Sequence, residues 1–292
     1  MLGAALLGIS FAGPLVKLSA ADPLAIAVWR LGFSLIIVAV FLIATGEWRQ
    51  WRSLSRADTA IATLAGVALA LHFWAWNASI HLTTIAASVT LVNLQPAIII
   101  GISVLFLHEI PTSRQLIGIA IAVAGALVIA IPDLGDAGAT FGHRMALGNL
   151  LATSAAVTAA VYYTIGRHLR ASYGVWAYVG LAYAACFVAL LVFAAVSHVK
   201  LAPQPPREMA IFAALAVGPM LLGHTGMNWA LKFLPAYVVN LTVLGEPIGA
   251  TLLAAILPGI RQVPPVITLV GGAIMLAGVF VAVRDTRTKS IA

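Results

Sequence analysis

The sequence predicts an all-α polytopic membrane protein whose ten transmembrane helices form two five-helix inverted-topology repeats. Three observations predict it. Of 292 residues, 62% are hydrophobic and 9% charged, with a mean hydropathy of +1.05; a soluble domain is about half apolar and about a quarter charged. Apolar runs follow one another at close to the ~20 residues a spanning helix needs. The second half of the chain also repeats the first at a fixed offset. Together these exclude a soluble domain, a disordered chain and a surface-bound basic module. They leave no room for a folded extramembrane domain of ~100 residues.

Helix ends read from Pro, Gly and charge place the spans at 3–20, 24–45, 59–79, 83–107, 113–131, 146–167, 174–198, 209–231, 235–257 and 265–284. The first span ends at Ser19-Ala20-Ala21, which resembles a signal-peptide cleavage site. The run has no basic leader, however, and the repeat requires it as a helix. Trp48 and Trp51 beside Arg49 and Arg52 suit an interfacial anchor after span two. Spans four and nine carry internal prolines, Pro96 and Pro247. Barrel strands are excluded, because they would read as ~10-residue alternating segments.

The formal charge is +7 and the pI about 10.0. The basic residues sit in short loops, so they read as a topology signal and not as a nucleic-acid surface. With the N-terminus in the cytoplasm, ten of the 16 Lys and Arg fall on the cytoplasmic side, four fall outside, and Lys17 and Arg30 lie within spans. The expected location is therefore a bacterial-type inner (cytoplasmic) membrane, multi-pass, with both termini cytoplasmic. Cys186 is the only cysteine, which excludes an intramolecular disulfide.

At an offset of 151, Asn77 falls on Asn228 and Pro96 on Pro247. At 153, eight of 18 aligned positions match, from Pro111 on Pro264, through Gly118 on Gly271 and Gly125 on Gly278, to Val128 on Val281. The repeats are residues 1–138 and 139–292. An odd number of spans per copy inverts the second copy. Carriers built this way place substrate near the midplane, on the pseudo-two-fold axis.

These features resemble the drug/metabolite transporter superfamily, EamA type. The resemblance rests on Trp29-Arg30 early in span two, Pro96 in span four and the Leu107-His108-Glu109 turn. The Gly118 and Gly125 spacing and Glu246-Pro247 add to it. It covers nearly the whole chain and implies a metabolite exporter, most similar to the aromatic amino-acid exporters of that superfamily. One departure is Gln262, where the counterpart of Glu109 would be acidic.

Ionisable residues inside a span are functional candidates by default. Glu246 lies mid-span, and Pro247 behind it frees the carbonyl of Val243; Gln95-Pro96 occupies the equivalent place in the first half. Glu246 either contacts an amino group or titrates during transport, or it is a bonded structural residue. Arg30 could hold a carboxylate, but its closeness to Pro23 favours snorkelling or pairing with Asp22. Lys17 is expected to snorkel. Asn77 and Asn228 form a symmetry-related polar pair, and His224 lies one turn before Asn228. Phe73, Trp74 and Asn77 are placed on one side of span three, with Phe11, Tyr162 and Tyr163 mid-span elsewhere. Of the aromatics, Trp74 and Tyr163 are the foremost candidates to stack on an aromatic substrate. Trp76, Trp176 and Trp229 read as interface or packing residues, and the glycines of spans five and ten as packing residues.

The function expected is a secondary carrier for amino acids or similar small metabolites. No cofactor and no metal site are expected, since no HExxH joins the seven histidines. No Walker A loop is present, so ATP coupling is not expected. A membrane enzyme for lipid or isoprenoid would need clustered acids, whereas Glu246 stands alone in the spans. A channel would need rings of like groups along a pore. A carrier for a non-amino-acid metabolite remains the other alternative.

Overall fold

A computed structural model describes residues 1–96, 98, 99, 102, 111–135, 139–261 and 266–283. The Leu107-His108-Glu109 turn, Gln262 and the basic tail after Val283 lie outside the described residues. Among the described residues all regular structure is helical. In chain order the helices are α1 (Leu2–Leu18), α2 (Pro23–Ala44), α3 (Arg56–Leu82), α4 (Ile85–Val92) and α5 (Ser113–Gly135). They continue with α6 (Ala139–Arg170), α7 (Val175–Val196), α8 (Pro206–Ala230), α9 (Ala236–Ile256) and α10 (Val266–Val283). Six segments are long and apolar enough to cross a bilayer: Pro23–Ala44, Arg56–Leu82, Arg144–Arg170, Val175–Val196, Pro206–Ala230 and Ala236–Ile256. Leu2–Leu18, Ser113–Gly125 and Leu269–Gly278 are shorter apolar stretches.

Local chemistry sets the boundaries. Asp22 Oδ1 accepts from Leu24 N at 2.8 Å, with Pro23 at the first helical position of α2. Ser55 Oγ caps α3 through Asp58 N at 2.9 Å, and Thr84 Oγ1 caps α4 through Ala87 N at 3.1 Å. Gly46, at φ 70°, turns the chain after α2 in the left-handed region that glycine tolerates. The 3-10 turn Glu47–Ser53 then covers the start of α7. Glu47 Oε2 accepts from Trp176 N (2.8 Å) and Ala177 N (3.0 Å), placing a negative charge on free amides at a helix N-terminus.

Four spans are irregular where the site lies. α1 breaks at Phe11. α4 ends in a turn at Asn93-Leu94 before the helix resumes at Gln95-Pro96, and α9 has the matching turn at Leu244-Gly245 before Glu246-Pro247. α8 is π-helical over Ala216–Thr225, with Pro219 inside it.

The core sits between two helix pairs. α3 packs along α6, and the first part of α1 packs along the π segment of α8. α2 and α7 lie against them. α5 and α10 form a separate pair at the periphery. There a Cβ on Gly125 would fall on the backbone of Gly271 and Met275, and one on Gly278 on that of Gly118 and Ala122. Close backbone approach of this kind is how membrane helices associate. Large apolar side chains such as Leu7, Ile36, Ile43, Leu64, Val188 and Phe280 point outward, as a bilayer-facing surface requires.

Candidate functional site

Where the irregular segments meet, they enclose a cavity of about 20 Å³. Arg30 from α2 and His72, Phe73 and Trp76 from α3 line one part of it; Tyr163 from α6 and His224 from the π segment line another. Gln95 and Glu246 reach it from the two resumed helices, flanked by Val92 and Val243, with Ile9 and Ala12 from α1. Four pairs among these residues stand 151 positions apart: Ala12 and Tyr163, Phe73 and His224, Val92 and Val243, Gln95 and Glu246. Four pairs at one sequence offset thus meet at one cavity.

Arg30 is the outstanding group. It does not snorkel; it is 1% exposed. Its guanidinium carbon lies 4.1 Å from the centroid of the Phe73 ring, and its Nε and Nη1 meet no acceptor. A buried guanidinium without hydrogen bonds is costly, by several kcal/mol on the scale of an unpaired ion. Glu246, also buried, lines the same cavity without bonding to it. Its Oε2 accepts instead from Asn93 Nδ2 at 3.4 Å. Gln95 presents an Oε1 with no donor. The cavity therefore holds unmet donors, a carboxylate and an unmet carbonyl oxygen side by side.

The remaining polar groups are fixed. The Tyr163 hydroxyl and His224 Nδ1 are 3.0 Å apart, with their rings stacked at 6.0 Å and 6°. His72 Nδ1 lies 2.9 Å from Ala155 O. A carbonyl only accepts, so Nδ1 is the donor there, and Nε2 is the ring's other polar edge. His72 and Trp76 stack at 6.5 Å, and Phe73 meets His224 edge-on at 5.2 Å. Five rings thus line the cavity that holds Arg30 and Glu246.

The structure separates the residues singled out from sequence. Tyr163, His224, Gln95 and Glu246 come together at the cavity. Pro96 and Pro247 sit one residue beyond the last two, at the breaks. Tyr162 lies just behind, its hydroxyl accepting from Asn228 Nδ2 at 2.6 Å, and Asn228 Nδ2 also reaches His224 O at 2.7 Å. Asn77 donates to Pro23 O at 3.1 Å and ties α3 to α2. Trp74 is 39% exposed and lies in a separate 440 Å³ groove between Leu24, Val192 and Phe193. Successive helical residues differ by about 100°. Phe73 and Asn77 thus turn inward while Trp74 turns out, so the three do not share a side. Phe11 is 41% exposed at the break in α1. Arg30, for which the sequence favoured snorkelling over holding a carboxylate, lines the cavity, and so do His72 and Trp76, which were not singled out for it. The available signal for the last two was their i, i+4 spacing, which puts both on one face of α3.

The chain matches the EamA-like transporter family over residues 1–131 and 146–284. It belongs to that family. A similar protein from Archaeoglobus fulgidus, named an "uncharacterized transporter", is 23% identical over 284 residues, 95% of this chain and 94% of its own. Another, from Streptantibioticus cattleyicolor, is named a "probable terminal-alkyne amino-acid exporter". It is 29% identical over 209 residues, 71% of this chain and 66% of its own length. A crystal structure 18% identical in sequence shares the fold at a TM-score of 0.76, covering 98% of this chain and 96% of that one. Family membership makes this chain a membrane-embedded transporter of small molecules and not an enzyme.

Proposed function

We propose that the chain is a secondary carrier that exports amino acids with apolar or aromatic side chains by alternating access. Its halves, 1–138 and 139–292, act as inverted five-helix repeats around the cavity, and the shorter apolar helices complete ten crossings. The two family-matched stretches fall on either side of that boundary. In this reading both termini lie in the cytoplasm of a bacterial-type inner membrane.

The observation that carries the reading is Arg30, buried with unmet donors in the cavity that also holds Glu246. An α-amino acid supplies the complement. Its carboxylate meets the guanidinium, and its ammonium meets Glu246 and the Gln95 oxygen. The side chain lies against Phe73, Trp76, Tyr163 and His224. Phe11 and Trp74 face outward, so the ring contacts are assigned to the inward set. Asn77, Asn228 and Tyr162 support the walls. The name carried by the Streptantibioticus relative agrees with an amino-acid substrate.

At about 20 Å³ the cavity has room for a water and not for an amino acid. Substrate therefore enters only when the helix pairs part. Without a nucleotide-binding motif, the driving force is a substrate, proton or ion gradient. The test is uptake of labelled phenylalanine and leucine into proteoliposomes by the wild type and Arg30→Met. Saturable wild-type uptake, lost in the variant, supports the reading; equal uptake by both removes Arg30 from the site.

A further inference from the structure

Two cation-to-carbonyl contacts stand at opposite ends of the cavity. Lys17, at the end of α1, does not snorkel. Its Nζ donates to Ile80 O at 2.8 Å and Thr83 O at 3.5 Å, at the C-terminal end of α3. At the C-terminal end of α6, Arg167 Nη1 donates to Leu231 O at 2.8 Å and Arg170 Nε to Asn228 O at 2.9 Å, where α8 ends. Ile80 and Leu231 are 151 residues apart, and the same offset carries Lys17 onto His168, between the two arginines. The last carbonyls of a helix have no partner within it, and basic side chains are their natural donors. One position shared by the offset, Ile80 and Leu231, thus accepts from a basic side chain at each mouth.

These contacts cross the boundary that would open. α3 packs along α6, and α1 along the π segment of α8, with the cavity between the two pairs. Between the pairs, Ala12–Leu18 of α1 meets α3, and Gly226–Ala230 of α8 meets α6. Lys17 seals the first of these meetings and the two arginines seal the second. Other bonds at the Lys17 end hold α1 to α8 within one pair: Ala20 N donates to Glu208 Oε1 at 3.2 Å, and Arg207 Nη2 to Leu18 O at 2.9 Å.

We propose that Lys17 and the Arg167–Arg170 pair are the two gate latches of the carrier, which release in turn. This rests on the alternating-access reading. Both latches are made here, in keeping with a cavity too small for substrate. The arginine end is held by two residues and the other end by one, so the unloaded carrier opens more readily at the Lys17 mouth. A latch onto backbone carbonyls leaves its partner intact when the partner side chain is changed. The cation is therefore the group to vary.

The test places a reporter cysteine at Val92, which lines the cavity, in a Cys186→Ser background, and labels it with a membrane-impermeant thiol reagent from either face of oriented vesicles. Lys17→Met should raise labelling from the Lys17 face at least threefold relative to the opposite face. Arg167→Met with Arg170→Met should shift the ratio the other way. Combining all three should return it towards the starting value, and Lys17→Arg should hold it there. Ratios unmoved by either change, or moved in the same direction by both, overturn the latches while leaving two-sided access standing. A cysteine that reacts from one face alone in every variant overturns alternating access as well. Should Lys17→Met fail to fold, Lys17→Gln against Lys17→Arg reads the same shift.

Discussion

At the residue scale, the account turns on a guanidinium with nothing to bond. Arg30 sits against Phe73 with Nε and Nη1 unmet. Removing one partner of a buried charged contact costs about 2–5 kcal/mol. Arg30→Met should therefore lower transport efficiency by more than ~30-fold at that scale, and Arg30→Lys should recover only part of it, because a point charge lacks the planar fork. Glu246→Gln should weaken uptake of an amino acid but spare an analogue without the amino group. Equal loss for both would make Glu246 structural. If Glu246 also couples transport to protons, the same variant should flatten the dependence of uptake on an imposed pH gradient. Trp74→Ala should keep uptake within about twofold, since surface changes away from special features usually cost under ~0.5 kcal/mol; Tyr163→Ala, whose hydroxyl faces His224, should not. A large loss in Trp74→Ala would move the ring contacts to the outer groove. The chain spelled out one half of this chemistry better than the other. Glu246 and Gln95 were legible because a proline marks each and the repeat pairs them. Arg30 was not, because distance from a helix end gives depth but not direction. A helix of unknown partners can turn an arginine to water or to a neighbour.

At the element scale, the proposed site rests on breaks in helices. The turns at Asn93-Leu94 and Leu244-Gly245 bring Gln95 and Glu246 to the cavity, and the π segment does so for His224. The two prolines made the first pair legible. Nothing comparable announced the ten-residue π stretch, for Pro219 alone signals only a kink. Trp74 and Trp76 show the same limit: two residues on one apolar helix differ by about 200°, and only the packing of α6 and α7 on α3 decides which faces in. The peripheral pair behaves as its glycine spacing foretold. Gly125→Ala or Gly278→Ala drives a methyl into the backbone of the facing helix. Each should cost about 1–3 kcal/mol of overpacking, read as a lower melting temperature in detergent. The same Km in the surviving fraction is expected, because no described residue of α5 or α10 lines the cavity. An unchanged melting temperature would mean the two helices separate without cost.

At the scale of the whole molecule, composition alone established a helical membrane protein, and the family match agrees with the carrier reading. The offset of 151 residues was visible as scattered identities and was read as an inverted repeat, but the residue pairs it brings to one cavity were mostly not visible. In the structure it joins Phe73 with His224 and Ala12 with Tyr163, pairs that identity matching does not find. The cavity presents a basic and an acidic group from different helices, which suits a zwitterion better than a simple anion or cation. The orientation proposed rests on the excess of Lys and Arg in alternate loops, and on that reading reporters fused to either end should both read as cytoplasmic. A split result would reverse or break the ten-crossing topology.

The most direct test of the carrier reading is uptake of labelled phenylalanine by proteoliposomes loaded with unlabelled phenylalanine, with β-phenylpropionate and phenethylamine as competitors. Each competitor keeps the ring and only one of the two charges. Saturable exchange, competed by whole amino acids and weakly or not at all by either analogue, is predicted by a site that needs Arg30 and Glu246 together. Exchange blocked equally by one single-charge analogue, or no phenylalanine exchange at all, would contradict it.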